Sequence, residues 1–383
     1  MTDLRLPQRN LTSSSTVHSE SALPPPTGRY PDVPVPLQRG TGALLGRKIY
    51  VGLGSAGCQW LSLDLDSQRW SRFEDFPGRP REQAIAVAVG ACIYVFSGVG
   101  QGEPHGATLI FDDVHCFEPA TGRWSRLPAS APTALLGAVA CSIDDSTVLF
   151  FGGANRAIFD QYGESLVRAG NDEALCAAAN RNYFEREPHE YCFNADVLGF
   201  SPADQCWRTM SRWPVAPTLG AAIAARGSQI TLVNGELKPG LRSTAVQRLT
   251  IEGGASSWRS LPDLIPAEGQ VSQEGLAGAY AGFSNGALLV AGGANFPGAR
   301  QRYHAGHLYA HEGLTKTWHD QIYALVDDQW HLAGRLPCSM AYGLAFELPE
   351  GVLLVGGELQ GGAATAAVHL MRWDGEAVRF GGG

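Results

Sequence analysis

A carboxylate and a guanidinium lie six residues apart in a short segment, NGELKPGLR, that runs from Asn234 to Arg242. Glu236 directly follows a glycine at the end of a strand-like run, and Pro239-Gly240 shapes the loop before Arg242. A positioned carboxylate can accept and return a proton. An arginine can bind the carboxylate of a ligand through two parallel hydrogen bonds. An ordinary surface loop with an ion pair would contain the same residue types, so the segment alone leaves both interpretations open.

Seven other polar side chains are candidates for ligand contacts because of their positions beside predicted strands and insertions. Arg81 and Gln83 precede an inner strand, and Asn155 follows Gly152-Gly153 much as Glu236 follows its own pair, displaced by one residue. The other four, in or near an insertion and the last inner strand, are Arg300, Tyr303, Glu312 and Tyr342. Structural packing is an equally open explanation for each of them.

We predict no metal site. His304, His307 and His311 have spacings compatible with one helical face, but no carboxylate or cysteine motif of known metal spacing accompanies them. The eight cysteines are scattered without a CxxC pair, so a zinc ribbon or redox motif is unsupported.

A β-rich run that ends in a glycine-containing pair recurs six times along the chain. The six runs are Ile49 to Gly54, Ile93 to Gly98, Val148 to Gly153, Ile230 to Gly235, Leu288 to Gly293 and Val352 to Gly357. A strand of small residues precedes most of them, and a turn followed by a tryptophan comes after five, at Trp70, Trp124, Trp207, Trp258 and Trp330. Each unit therefore predicts a four-stranded sheet, with the tryptophan packed between neighbouring sheets.

Six such sheets predict an all-β fold, a six-bladed β-propeller of Kelch type with a short helical insertion. Radial packing buries the faces of the sheets and leaves only short, protected edges. The sixth unit lacks the tryptophan, so the ring would close with a strand at Ala377 to Phe380 or with one from Tyr30 to Leu37. The sequence leaves these two alternatives open.

We expect the propeller to occupy residues 31–383, with insertions at about 155–192 and 295–320. Helix formers between Tyr162 and Tyr183 predict one or two helices in the first insertion, and a helical turn is expected between Gly306 and Lys316 in the second. Insertions in repeat folds gather on one face and often build the site.

Residues 1–30 are polar and proline-rich and are predicted to be a disordered extension. They lack the apolar stretch of a secretory signal, which predicts a cytoplasmic location. The net charge of −8, without a basic run, argues against a nucleic-acid partner, and no apolar run is long enough to span a membrane.

Several segments resemble, in order, the bacterial N-acetylneuraminate epimerases, which are Kelch-propeller mutarotases. Besides Asn234 to Arg242, these segments are Gly40-Thr41-Gly42, Val51 to Gly57, Arg81 to Ala84, Phe111 to His115, Tyr309 to Leu314 and Ala341-Tyr342-Gly343. The resemblance spans roughly Pro31 to Phe380, including both insertions.

The resemblance implies conversion of α-N-acetylneuraminate to its β anomer through ring opening, without a cofactor. It places the family's acid–base glutamate on Glu236 and its essential arginine on Arg242. The best-known members are periplasmic, so this location is the family expectation. Oligomeric state is left open.

Three alternatives compete with this interpretation. Many Kelch propellers bind a partner without catalysis, so a non-catalytic propeller for a protein or sugar acid stays open. A sialidase would carry S-x-D-x-G-x-T-W repeats, and none is found. The ligands of a galactose-oxidase-like copper site cannot be assigned.

Overall fold

The computed structural model describes residues 30–103 and 106–381, and the predicted disordered extension lies almost entirely outside them. Six antiparallel sheets follow one another along the described chain. Blade one contains β1 (Thr41–Leu45), β2 (Lys48–Gly52), β3 (Trp60–Asp64) and β4 (Arg69–Arg72), with a 3-10 helix at Gly54–Ala56. Blade two contains β5 (Ile85–Val89), β6 (Cys92–Phe96), a ribbon of β7 (Val99–Gln101) and β8 (Thr108–Ile110), then β9 (Asp113–Glu118) and β10 (Arg123–Ser130).

Blades three and four carry the first insertion and the segment with Glu236. Blade three contains β11 (Val139–Ser142), β12 (Val148–Phe151), helices α1 (Arg156–Ala169) and α2 (Glu173–Phe184), a 3-10 helix at Pro188–Tyr191, β13 (Asp196–Ser201) and β14 (Cys206–Arg212). Blade four contains β15 (Ala222–Arg226), β16 (Gln229–Val233), a hairpin of β17 (Glu236–Lys238) and β18 (Leu241–Arg242), then β19 (Val246–Glu252) and β20 (Ala255–Leu261).

Blades five and six complete the ring. Blade five contains β21 (Tyr280–Ser284), β22 (Ala287–Ala291), β23 (Ala294–Asn295), helix α3 (Ala299–His304), β24 (Thr317–Trp318), β25 (Gln321–Val326) and β26 (Gln329–Arg335). Blade six contains β27 (Met340–Ala341), β28 (Leu344–Leu348), β29 (Gly351–Leu359), β30 (Ala364–Trp373) and β31 (Val378–Phe380). The predicted six-bladed propeller is confirmed.

The hydrophobic core is divided among the interfaces between neighbouring blades. Each of six buried clusters joins one adjacent pair of blades, and the cluster between blades one and six closes the circle. The predicted tryptophans lie at these interfaces. Trp124 donates a hydrogen bond of 3.1 Å to the Glu74 carbonyl of the preceding unit, and Trp330 donates one of 2.8 Å to Pro262. Radial packing of blade on blade therefore stabilises the ring.

The two alternatives for ring closure have different roles in the structure. Val378–Phe380 pairs with β30 and forms the outer strand of blade six. The segment from Tyr30 to Leu37 forms no strand but crosses the seam between blades six and one. Its Val33 and Leu37 amides donate to β30 at 2.8 and 3.0 Å, and both side chains are buried in the seam cluster.

The two longer helices, α1 and α2, begin at residues whose side chains cap them. Asn155 accepts a hydrogen bond from the Ile158 amide at the start of α1, and Asp172 caps α2 in the same way. In the second insertion the helix occupies Ala299–His304, upstream of the predicted turn, and Gly306 to Lys316 forms non-helical turns. Among the described residues no helix is long and apolar enough to cross a bilayer.

Candidate active site

Glu236 and Arg242 face each other across the hairpin of β17 and β18. The two residues are direct cross-strand partners, which explains their spacing of six. Gly235, at φ +95°, leads from β16, the second strand of the blade, into the hairpin, and a Cβ there would lie 2.6 Å from Thr218. Gly240, at φ +84°, turns the hairpin. Both positions, the one before Glu236 and the one at the turn of the hairpin, therefore require glycine.

The two side chains form an ion pair that leaves part of each group free. Arg242 Nη1 donates to Oε1 of Glu236, and Arg242 Nε donates to the Ala294 carbonyl at 3.2 Å. The Gly240 amide lies 3.4 Å from the same Oε1. Glu236 Oε2 and Arg242 Nη2 make no hydrogen bond within residues 30–103 and 106–381. Arg242 is 3% exposed and Glu236 is 27% exposed, so a ligand can reach the carboxylate.

A ring of equivalent backbone positions surrounds the mouth of the central channel beside this pair. Its six members, one from each blade and all at positive φ, are Arg39, Gln83, Gly137, Gly220, Gly278 and Tyr342. Five hydrogen bonds of 2.7–2.9 Å join neighbouring members. Below the ring the channel encloses about 280 Å³ and is lined mostly by small residues of the innermost strands.

The ring is asymmetric in its side chains. Arg39, Gln83 and Tyr342 adopt the left-handed conformation at φ 51–56°, which non-glycine residues rarely do. Such strain clusters at functional sites. Tyr342 lies over Gly278, where a Cβ would come within 2.3 Å of its ring. Gln83 and Tyr342, both predicted from the sequence, therefore lie at the channel mouth.

The first insertion forms one wall of the site. Burial, followed by the negative charge of Glu236, raises the pKa of Tyr183 above its ordinary range. The Tyr183 ring stacks on Tyr162 at a centroid distance of 4.0 Å, and its carbonyl accepts a hydrogen bond from the Tyr191 hydroxyl at 2.5 Å. These aromatic residues therefore place the first insertion close to the Glu236 carboxylate.

Lys238 ties both insertions to the hairpin. Its buried ammonium donates to the Arg186 carbonyl of the first insertion and, at 2.5 Å, to the Leu308 carbonyl of the second. Burial lowers the pKa of Lys238. Nearby, the Tyr303 hydroxyl donates to Glu187 Oε2 at 2.7 Å and so joins the two insertions directly.

A second charged group, which the sequence analysis did not identify, lies beside Tyr342. Glu358 Oε1 and Oε2 each form an ion pair of 2.7 Å, with Lys316 and Arg39 respectively. The Lys316 ammonium lies 4.4 Å from the centroid of the Tyr342 ring. A repeated motif in the sequence could have predicted Glu358. The Gly-Glu-Leu at 235–237 recurs at 357–359, after the corresponding strand of blade six.

The remaining predicted residues divide into those near the pair and those committed elsewhere. Arg300 Nη1 donates to the Arg242 carbonyl at 3.1 Å and therefore supports the hairpin. Arg81 is held in a buried ion pair with Asp113, and Asn155 caps α1. Glu312 is exposed in the second insertion. Contacts between these residues and a ligand stay predictions.

His311 approaches the hairpin, whereas His304 and His307 are exposed. A Cβ on Gly240 would lie 1.8 Å from His311 Nδ1. Burial, together with the charges of Arg242 and Lys238, lowers the pKa of His311 to about 4. Within the described ranges no group of three His, Cys, Asp or Glu side chains could hold a metal ion.

The chain resembles known proteins in both sequence and structure. A family model described as N-acetylneuraminate epimerase matches residues 30–380. The N-acetylneuraminate epimerase of Yersinia pestis (strain Pestoides F) is 46% identical over 350 residues, which cover 91% of this chain and 89% of the relative. That of Haemophilus influenzae (strain PittEE) is 40% identical over 351 residues, covering 91% and 93%. The solved structure of YjhT matches with a TM-score of 0.87 at 37% identity, covering 91% of this chain and 99% of the other.

The fold and the site define a β-propeller enzyme with a carboxylate–guanidinium pair at the mouth of its central channel. The span of the family model, residues 30–380, includes both insertions as well as the blades. The chain belongs to the N-acetylneuraminate epimerase family, and it is an isomerase-type enzyme.

Proposed function

We propose that this enzyme is a mutarotase that converts α-N-acetylneuraminate to the β anomer through the open-chain form. The relatives described as N-acetylneuraminate epimerases support the substrate. One observation supports the reaction above all: Glu236 lies at the channel mouth beside a buried arginine, and its Oε2 makes no hydrogen bond in the described part of the chain.

In this proposal Glu236 is the general base. Its carboxylate takes the proton of the anomeric hydroxyl as the bond between the anomeric carbon and the ring oxygen breaks, and the ring oxygen gains a proton from a water molecule or from the carboxylic acid that Glu236 has become. Rotation about the adjacent carbon–carbon bond presents the other face of the ketone. The reverse proton transfers then close the ring. No C–H bond breaks and no oxidation state changes, so the reaction requires neither a metal nor an organic cofactor.

Arg242 has two tasks in this mechanism. Its Nη1 keeps Glu236 oriented, and its Nη2, which makes no hydrogen bond within the described residues, meets the substrate carboxylate, which is attached to the reacting carbon. The buried hydrogen bond to Ala294 prevents the guanidinium from turning away. The base and the reacting hydroxyl are thereby brought together.

Proton NMR of freshly dissolved α-N-acetylneuraminate tests this proposal. The native enzyme should speed the approach to the anomeric equilibrium well beyond the rate in buffer. Glu236→Gln keeps the size and one acceptor but removes the base, so kcat should fall roughly 10²- to 10⁴-fold. Arg242→Ala should raise KM and lower kcat together. Glu252→Gln, at an exposed residue at the end of β19, is the matched control and should behave like the native enzyme.

Thermal unfolding of each variant shows whether the fold survives. Native-like unfolding with lost activity in Glu236→Gln supports the assignment of the base. No acceleration by the native enzyme would refute mutarotation and favour a non-catalytic propeller that binds a sugar acid or protein.

A further inference from the structure

Glu358 is the structural counterpart of Glu236 in another blade. Glu236 bridges to Leu219, the residue before ring member Gly220, and Glu358 pairs with Ala341, the residue before ring member Tyr342. The repeat thus places a carboxylate at the same position in blades four and six. In blade five the equivalent residue is Ala294, so the carboxylate is absent from the position between the two glutamates.

The partners of Glu358 differ from the partner of Glu236. Glu358 is 2% exposed and is bracketed by two cations, Lys316 at 23% exposure and Arg39 at 37%. Arg242, by contrast, is 3% exposed and already holds Glu236. The two cations that bracket Glu358 are therefore more accessible to a ligand than the arginine of the hairpin.

Lys316 is fixed in position from several sides. Its Nζ contacts Glu358 Oε1 at 2.7 Å and lies 4.5 Å from the Trp318 ring centroid and 4.4 Å from that of Tyr342. An ammonium has three donors, and Glu358 is its one hydrogen-bond acceptor among residues 30–103 and 106–381. Two donors are therefore available to a ligand.

The charged group around Glu358 lies close enough to the ion pair of Glu236 and Arg242 for their charges to interact. Burial lowers the pKa of Lys316, Glu358 opposes this effect, and the charges of Arg39 and Arg242 lower it further. Three cations thus face two carboxylates that already have ion-pair partners, Glu236 and Glu358. A further carboxylate near Arg39, Glu82, is 44% exposed and is screened by solvent. The excess positive charge suits one monoanionic group.

We propose that Lys316, held in place by Glu358, is a specificity-determining residue that binds the carboxylate of the sugar-acid substrate opposite Arg242. This inference rests on the proposed function and adds to it the source of anion selectivity. Glu358 is a positioning residue, because it acts by holding Lys316. Arg39, at the channel mouth, holds the Glu358 carboxylate through its second oxygen. The reacting carbon would then lie between the two groups, within reach of Glu236.

The test compares N-acetylneuraminate with its methyl ester, which has lost the negative charge, in the full-length enzyme. The enzyme-dependent rate above buffer is measured for the native protein and for Lys316→Met, which keeps the length of the side chain without its charge. Lys316→Met should raise KM for the acid roughly tenfold or more, the value of a charged hydrogen bond. The native preference for acid over ester should fall by a similar factor.

Lys48→Met is the matched control, since Lys48 lies on β2 in a solvent-exposed ion pair with Asp64. It should leave KM and the acid-to-ester preference unchanged. If Lys316→Met does not fold, Glu358→Gln provides the second test, and it should raise KM for the acid more than for the ester.

Equal losses for acid and ester would overturn the proposal, because a merely structural lysine would affect both substrates alike. An unchanged KM for the acid would overturn it too. Failure of the proposed function looks different, since the native enzyme would then accelerate neither substrate.

Discussion

Replacing Asp113 by asparagine should destabilise the propeller without affecting substrate binding, because its partner Arg81 is committed to the fold. Arg81 lies before the inner strand of blade two and was a candidate ligand contact. Its side chain is 2% exposed and donates to Asp113 Oδ1 at 2.5 Å and Oδ2 at 3.1 Å. It also donates to the carbonyls of Ser97 and Arg79. These acceptors occupy the guanidinium.

The magnitude follows from the burial of the pair. Removing one partner of a buried ion pair strands the other charge and costs about 3–5 kcal/mol. The entropy of unfolding of about 350 residues is roughly 0.7 kcal/mol/K, so Tm should fall by about 4–7 °C. Burial alone would raise the pKa of Asp113, but hydrogen bonds from His115 and Arg81 lower it below its usual range. The contribution of the pair is therefore present at neutral pH and is lost only in strong acid.

Calorimetry and mutarotation kinetics of Asp113→Asn and Arg81→Met measure the two effects separately. Both variants should unfold at lower temperature, and well below Tm both should keep KM within about twofold of the native value. The matched control Asp66→Asn removes an exposed partner of Arg47, and Tm should move by less than about 1 °C. A native Tm combined with a tenfold rise in KM for Arg81→Met would refute the reasoning and make Arg81 a ligand contact.

Three further predictions concern the hairpin. Lys238→Met removes two buried hydrogen bonds to backbone carbonyls, at a cost of about 3 kcal/mol. Proteolysis within residues 156–191 should therefore become faster. In the control Lys48→Met the rate of proteolysis should stay native-like. Gly240→Ala would place a Cβ 1.8 Å from His311 at a residue with φ +84°. The hairpin would be displaced, so kcat should fall at least roughly tenfold. Native kinetics in this variant would contradict the placement of the active site at the hairpin. His311 is held neutral with a pKa of about 4, so the unfolded chain binds the extra proton first as pH falls. Stability should therefore drop by about 3 kcal/mol between pH 6.5 and 4, and urea unfolding of His311→Phe should lack this part of the loss.

Much of the fold could be predicted because a propeller repeats its local pattern. Each glycine-ended strand and following tryptophan belongs to one blade, and each blade needs neighbours to bury its faces. The run from Ile93 to Gly98 and Trp124 thus predicted β6 and β10 of blade two. Helix formers predicted helices in the first insertion for the same local reason. The short helix at Ala299–His304 was not predicted, because its sequence lacks a side-chain cap.

The hairpin of Glu236 and Arg242 was also accessible to sequence reasoning, because the two residues that meet are only six apart. The ion pairs of Glu358 in blade six could not be predicted in this way, because its partners are distant in sequence. Arg39 and Glu358 are separated by most of the chain and meet because the ring closes between blades six and one. Lys316 reaches the same carboxylate from the insertion of blade five.

The sequence by itself therefore determined the repeating unit, the number of blades and the segment that carries the carboxylate–guanidinium pair. Only the tertiary structure decided which distant charges surround that pair, which candidate arginine is held in the fold, and how β31 and the segment from Tyr30 to Leu37 complete the ring. The physical reason is that hydrophobic periodicity and turn residues act over a few neighbouring positions, whereas ion pairs across a closed ring depend on where the closure brings each blade.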